Sequence, residues 1–212
     1  MLDIHRSAYE GQDQLVAAAL AEDPSRINTL DADGRTPLHN ACSSGTNPVI
    51  PKQRHGKQNA MFQAVGVKKL GRNPFPILLQ IGRLLIRYGA DVNARDRANQ
   101  LPLHRAASSG ATPFILLLVN SQNTENGTGT EDRETPRPKP RLNLVDNAGH
   151  TPLHLAFESG HAEAACALIE AGADRSRLDS EGKRPDELAA VLGDQVHLRV
   201  KQYVESRCGK IE

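Results

Sequence analysis

The stretch DNAGHTPLHLAFESGHAEAACALIEAGAD, Asp146 to Asp174, decides how this chain folds. Asp146-Asn147-Ala148-Gly149 reads as a turn, with Gly149 supplying the positive φ that a hairpin tip needs. Thr151 is placed to N-cap a helix whose first residue is Pro152, where a missing N–H costs nothing. Leu153, Ala156 and Phe157 recur at helical spacing and are expected to face a neighbour. Ser159-Gly160-His161 breaks that helix, with Gly160 as a C′ residue. A second helix follows, with Ala164, Ala165, Leu168 and Ile169 as its buried stripe, and Gly172 stops it.

The same order of elements returns elsewhere. TPLH at Thr36–His39, LPLH at Leu101–His104 and TPLH at Thr151–His154 are near-copies, and RPDE from Arg184 is a degraded fourth. Their prolines, at 37, 102, 152 and 185, are separated by 65, 50 and 33 residues. The last gap is one period of about 33 residues, 65 is within one residue of two periods, and 50 is one period plus an insertion. The pattern D-x-x-G-x-TPLH-x-A…SGH…LIEAGAD resembles the ankyrin repeat, nearly to the letter. It recurs at Asp31–Gly45 and Gly89–Gly110. The fold expected is therefore all-α: an ankyrin-repeat solenoid of helix-turn-helix units with hairpin loops, one irregular basic segment and one disordered loop.

Residues 1–30 form an N-terminal capping repeat without the tetrapeptide, with Ile4–Gly11 as inner helix and Leu15, Val16, Ala19 and Leu20 on its outer partner. Residues 31–45 start the second repeat, 81–120 and 141–178 are repeat regions, and 179–212 hold the C-terminal cap and tail. In that cap Val196, Val200 and Val204 recur at i, i+4, i+8 as an apolar stripe. Residues 121–140, rich in Thr, Asn, Glu, Gly and Pro, are expected to be an exposed flexible loop. Its Pro-Arg-Pro-Lys-Pro run is read as a stiff linker before a polyproline ligand. Residues 46–80 break the pattern with six Lys and Arg between 52 and 72, no acid, and four prolines. Three readings are open: a nuclear localisation signal or nucleic-acid patch, a degenerate repeat or insertion, or translated sequence normally removed from the message. The last two together are favoured.

Composition narrows the function. Aromatics are 3% of residues and Trp is absent, so Ala and Leu must fill thin layers between helices. A net charge of +1 argues against a general nucleic-acid binder, and the longest purely apolar run, Phe114–Val119, is too short to span a membrane. Cys42, Cys166 and Cys208 lack metal-type spacing and suit a reducing compartment, cytosol or nucleus. Cys42 and Cys166 occupy Ala-like buried positions, whereas Cys208 is placed in a frayed, exposed tail. The motif histidines His39, His104 and His154 are one layer or more apart, too far to share a metal. Each is expected to hydrogen-bond its own turn backbone. No nucleophile signature, P-loop or dinucleotide fingerprint is present, so no enzyme, cofactor or metal is expected.

Binding remains. In ankyrin-repeat proteins the partner surface is the concave side, made of hairpin tips and the exposed face of each inner helix. On the matching positions this implies Tyr9, Glu10, Asp33, Arg35, Ser43, Arg97, Gln100, Ser108, Asn147, His150 and Glu158. Their mixed charge would select a partner by complementarity and respond to salt. Ile4–Gly11, Asp96–Ala107 and Ala162–Arg207, with Gln202-Tyr203-Val204 near its end, are similar to fungal members of the gankyrin family. So is the Pro-Arg-Pro-Lys preceding Arg141. The likeness covers roughly residues 1–45 and 81–207. It implies a monomeric chaperone that binds the C-terminal domain of one ATPase subunit of the proteasome base, in cytoplasm and nucleus. It also implies about seven repeats, against four recognisable ones plus fragments here. The alternative is an ankyrin adaptor in transcription or cell-cycle control, with residues 52–72 as a nuclear address.

Overall fold

Asparagine and histidine side chains tie each helical layer to the next, and their partners reveal which layers are neighbours. The computed structural model describes residues 3–43, 75–120, 139–188 and 194–209. Ten α-helices lie within them, forming five pairs. The inner helices are α1 (Ile4–Glu10), α3 (Pro37–Ser43), α5 (Pro102–Ser108), α7 (Pro152–Glu158) and α9 (Pro185–Leu188). The outer helices are α2 (Asp13–Glu22), α4 (Phe75–Arg87), α6 (Thr112–Val119), α8 (Ala162–Glu170) and α10 (Asp194–Cys208). Consecutive inner helices stack on one another, as do consecutive outer helices, so the chain forms an ankyrin-repeat solenoid two helices thick.

Local chemistry explains why these segments are helices. Pro at the first position of α5 and α7 has the right φ and forgoes no intrahelical bond. Positive φ at Gly110 and Gly160 lets the chain reverse from inner to outer helix. The core is a continuous seam of small and aliphatic side chains, among them Ala8, Leu20, Leu38, Ala106, Ile115, Leu153, Ala165 and Leu168, each at most 1% exposed. Phe157 is the largest side chain fully buried in it. Gly82 permits α4 to lie against α6, since a Cβ there would come within 2.6 Å of the Phe114 ring.

The 65-residue gap does not hold a second layer. His39 Nε2 bonds the Gln100 carbonyl at 2.9 Å, Arg97 N–H donates to the Asp33 carbonyl at 3.1 Å, and Ser109 Oγ donates to the Cys42 carbonyl. The repeats carrying α3 and α5 are therefore immediate neighbours, and α4 is the outer partner of α3. The irregular residues enter between the two helices of one repeat, and α4 begins at Phe75, inside the stretch read as 46–80. Its first part lies outside the described residues, as do residues 121–138 of the loop expected at 121–140.

Asparagine amides repeat the same adjacency along the outer turns. Asn28, Asn93 and Asn143 each accept, through Oδ1, a backbone N–H of the following repeat, from Asp91, Arg141 and Asp174, all at 2.9 Å. The terminal layers differ from expectation in detail. Val200 and Val204 are buried, but Val196 is 44% exposed, because the apolar seam of α10 starts one turn later than its sequence periodicity suggests. On α2, Val16, Ala19 and Leu20 are buried while Leu15 faces outward. Cys208 is not in a frayed tail: it is the last residue of α10, half-buried against the core. The Arg175 guanidinium holds the Cys208 and Gly209 carbonyls and ties that helix end down.

Candidate protein-binding face

Four aspartates build the hairpins. Asp31, Asp96, Asp146 and Asp179 each accept, through Oδ1, the backbone N–H groups two and four residues on, all at 2.8–2.9 Å. The carboxylate thus replaces a turn's missing backbone acceptors and fixes the tip. Hydrogen bonding to the charged form holds Asp31, Asp96 and Asp179 below the usual carboxylate range, in spite of burial acting the other way.

The second carboxylate oxygen reaches across the repeats. Asp96 Oδ2 receives Arg105 Nη2 of its own repeat at 2.7 Å and stands 3.9 Å from Arg35 Nε of the preceding one. Asp146 Oδ2 accepts from Gln100 Nε2 at 2.8 Å, and Asp179 Oδ2 lies 3.5 Å from His150 Nε2. Arg35, Gln100 and His150 occupy equivalent hairpin positions, so this is one contact repeated three times. The tips are also joined by their backbones: Asn147 N–H donates to the Ala98 carbonyl at 3.1 Å and Asn147 Nδ2 to the Arg97 carbonyl at 3.2 Å.

The motif histidines do more than brace their own turns. Leu101 N–H donates to His104 Nδ1 at 3.0 Å, and Thr36 and Thr151 N–H do the same for His39 and His154 at 3.1 Å. Because a backbone N–H can only donate, Nδ1 must accept and the ring proton sits on Nε2. Nε2–H then donates to a carbonyl of the next repeat: Gln100, His150 and Lys183 respectively. Both nitrogens of the neutral ring are in use, leaving no lone pair for a metal. Burial holds all three below the usual histidine range, His104 to about 4. At the ends the motif changes for a physical reason. Glu187 stands where the histidine would be and accepts the Arg184 N–H at 2.9 Å; a carboxylate closes that box as well as Nδ1 does. At the other end Asp3 caps α1 by accepting from His5 and Arg6 N–H.

The residues named from sequence therefore divide. Tyr9, 56% exposed, and the exposed side chains of Asp33, Arg97 and Asn147 stand at the surface. Glu10 pairs with Arg6 at 2.7 Å, and Asp33 with Arg35 at 3.0 Å. Arg35, Gln100 and His150 are half-buried in the inter-repeat contacts just described. Ser43 Oγ donates to the His39 carbonyl and Ser108 Oγ to that of Arg105, so both hydroxyls face their own helix. Glu158 lies 4.0 Å from His150 Nδ1. Sequence reading passed over Arg105 and Asp96, the pair at the middle of the face; the nine-residue spacing between a hairpin Asp and a helix cation was the available signal. Asn40 uses the same spacing to reach Asp31 Oδ2 at 3.0 Å.

A row of hairpin tips along stacked inner helices defines a class, and family comparison gives the same one: residues 78–179 match the model for ankyrin repeats in three copies. The chain belongs to the ankyrin-repeat family, whose members are protein-interaction scaffolds. Within it, the chain resembles the gankyrin-type proteins of the proteasome. It is 32% identical to the probable 26S proteasome regulatory subunit p28 of Saccharomyces cerevisiae, over 78% of this chain and 67% of that protein. It is 30% identical to an ankyrin repeat-containing protein of Schizosaccharomyces pombe, over 80% of this chain and 82% of that one. The human B-cell lymphoma 3 protein is 27% identical over 84% of the chain, which spans 38% of that protein. No helix among the described residues is long and apolar enough to cross a membrane.

Proposed function

We propose that this protein is a non-enzymatic assembly chaperone of the proteasome regulatory particle. In this reading it works as a monomer in cytoplasm and nucleus and takes the C-terminal domain of one base ATPase onto its concave face. The observation that carries the reading is the likeness to the yeast regulatory subunit: 32% identity with 67% of that protein's length spanned, against 27% and 38% for the B-cell lymphoma 3 protein. The mixed charges along the face, Asp33 and Arg97 on the tips and Glu158 at the end of α7 among them, suit a partner read by charge complementarity rather than by an apolar groove. Tyr9, at one end of the row, supplies aromatic contact area.

The test is capture of the C-terminal domains of all base ATPases, one at a time, by the recombinant full chain. Saturable binding of one domain, weakened by salt, supports the proposal. Binding of none by a chain that melts cooperatively overturns it and leaves the regulatory-adaptor reading.

A further inference from the structure

We propose that Cys208 and Cys166 form an oxidation site, at which hydrogen peroxide converts the two thiols into a disulfide that clips the terminal helix α10 to α8. Both cysteines are free thiols. Cys166 is 1% exposed in the middle of α8, while Cys208 is half-buried at the end of α10, the helix packed on α8. Cys208 packs against the buried cluster that contains Cys166, and its thiol is one of the groups that act on the Cys166 thiol. The geometry is held from several sides: Arg175 grips the Cys208 carbonyl at 3.1 Å, and the neighbouring Arg207 pairs with Glu170 of α8 at 2.9 Å. Cys42, fully buried in α3, two inner helices away from α7, has no part in this contact.

Exposure sets the order of events. Cys208 alone of the pair reaches solvent, so its thiolate attacks the peroxide; the O–O bond breaks, water leaves and a sulfenic acid forms. Burial pushes the Cys166 thiol up to about 12, which protects it from direct oxidation but leaves it beside the new electrophile. The Cys166 sulfur then attacks the Cys208 sulfur, the S–O bond breaks, and the hydroxyl departs as water with the Cys166 proton. The two sulfurs together lose two electrons and the peroxide gains them, with two molecules of water formed. The loop closed spans 42 positions (208 − 166) and holds the whole last repeat. Since each layer of a solenoid is supported by its neighbours, the clip guards the end where fraying starts.

The full chain is treated with hydrogen peroxide, quenched, unfolded and alkylated. The expected product has lost about 2 Da, takes up one alkyl group instead of three, yields a peptide pair joining residues 166 and 208, and reverts with dithiothreitol. It should melt roughly 5 °C or more above the reduced chain. Cys208→Ser, at a half-exposed position, should keep the fold and lose both the mass change and the shift in Tm. Oxygen adducts on Cys208 with Cys166 still open to alkylation, a disulfide that includes Cys42, or a disulfide-linked dimer would each overturn the proposal.

Discussion

His39 donates from Nε2 to the Gln100 carbonyl at 2.9 Å, across 61 positions of sequence. His154 makes the equivalent bond to Lys183 across 29. The difference of 32 equals the excess of the first proline gap over one period (65 − 33). An insertion of 32 residues therefore sits inside a single repeat.

Joining Gly45 directly to Leu78, which removes residues 46–77, should restore the register of the other repeats. Shortening the connection by about three doublings removes roughly 2 kcal/mol of loop-closure entropy. The variant is expected to melt cooperatively and at a higher Tm, read by circular dichroism. A lower Tm would mean that the inserted residues contribute packing of their own.

Acid should loosen the stack. Each motif histidine is neutral when folded and has its pKa lowered by burial, so below pH 6.5 the unfolded chain binds protons that the folded chain does not. Stability is full above that pH and falls as pH drops, for His104 until about 4. The loss per histidine approaches about 1.4 kcal/mol per pH unit within the window. Urea unfolding at pH 7.5 and pH 5 should show it, and His104→Gln should flatten the dependence.

Thr151 Oγ bonds His154 Nδ1 at 2.8 Å and lies 3.4 Å from the His154 N–H. Replacing it with Val keeps the shape but removes the hydroxyl, and the expected cost is about 1–2 kcal/mol of unfolding free energy. Leu101 already lacks that hydroxyl, so Leu101→Val should move stability through packing alone, by less than Thr151→Val.

Gly82→Ala should destabilise in spite of alanine's better helix propensity, which favours it by about 1 kcal/mol. The added methyl meets the ring of Phe114, which is buried in the core, at 2.6 Å and the half-buried Leu117 side chain at 2.9 Å. Overpacking of this kind costs about 1–3 kcal/mol, so a net loss of Tm is expected.

Two substitutions on this face separate surface from scaffold. The Arg97 side chain is exposed and makes no ion pair among the described residues. Arg97→Glu should leave Tm unchanged and weaken capture of the partner domain by about tenfold at low salt, the usual size for a reversed rim charge. Gln100→Ala should instead lower Tm, since it strips a 2.8 Å bond from the Asp146 carboxylate. If Arg97→Glu binds as well as the parent, the partner does not sit on this face.

Sequence alone determined what lies within five residues of itself. The Asp that fills a hairpin, the proline that opens an inner helix and the glycine that reverses the chain after Ser109 or Ser159 each act through bonds to near neighbours. The ankyrin fold was legible from them. Tertiary structure decided what spans 29 to 67 positions. It placed α3 against α5 where the proline gap suggested two layers, because the insertion adds chain without adding a layer. It turned Arg35, Gln100 and His150 inward, because each meets the second carboxylate oxygen of an aspartate in the following repeat. It also set Cys208 beside Cys166, because α10 stacks on α8. Such contacts depend on which helix becomes the neighbour, and no spacing within one repeat encodes that.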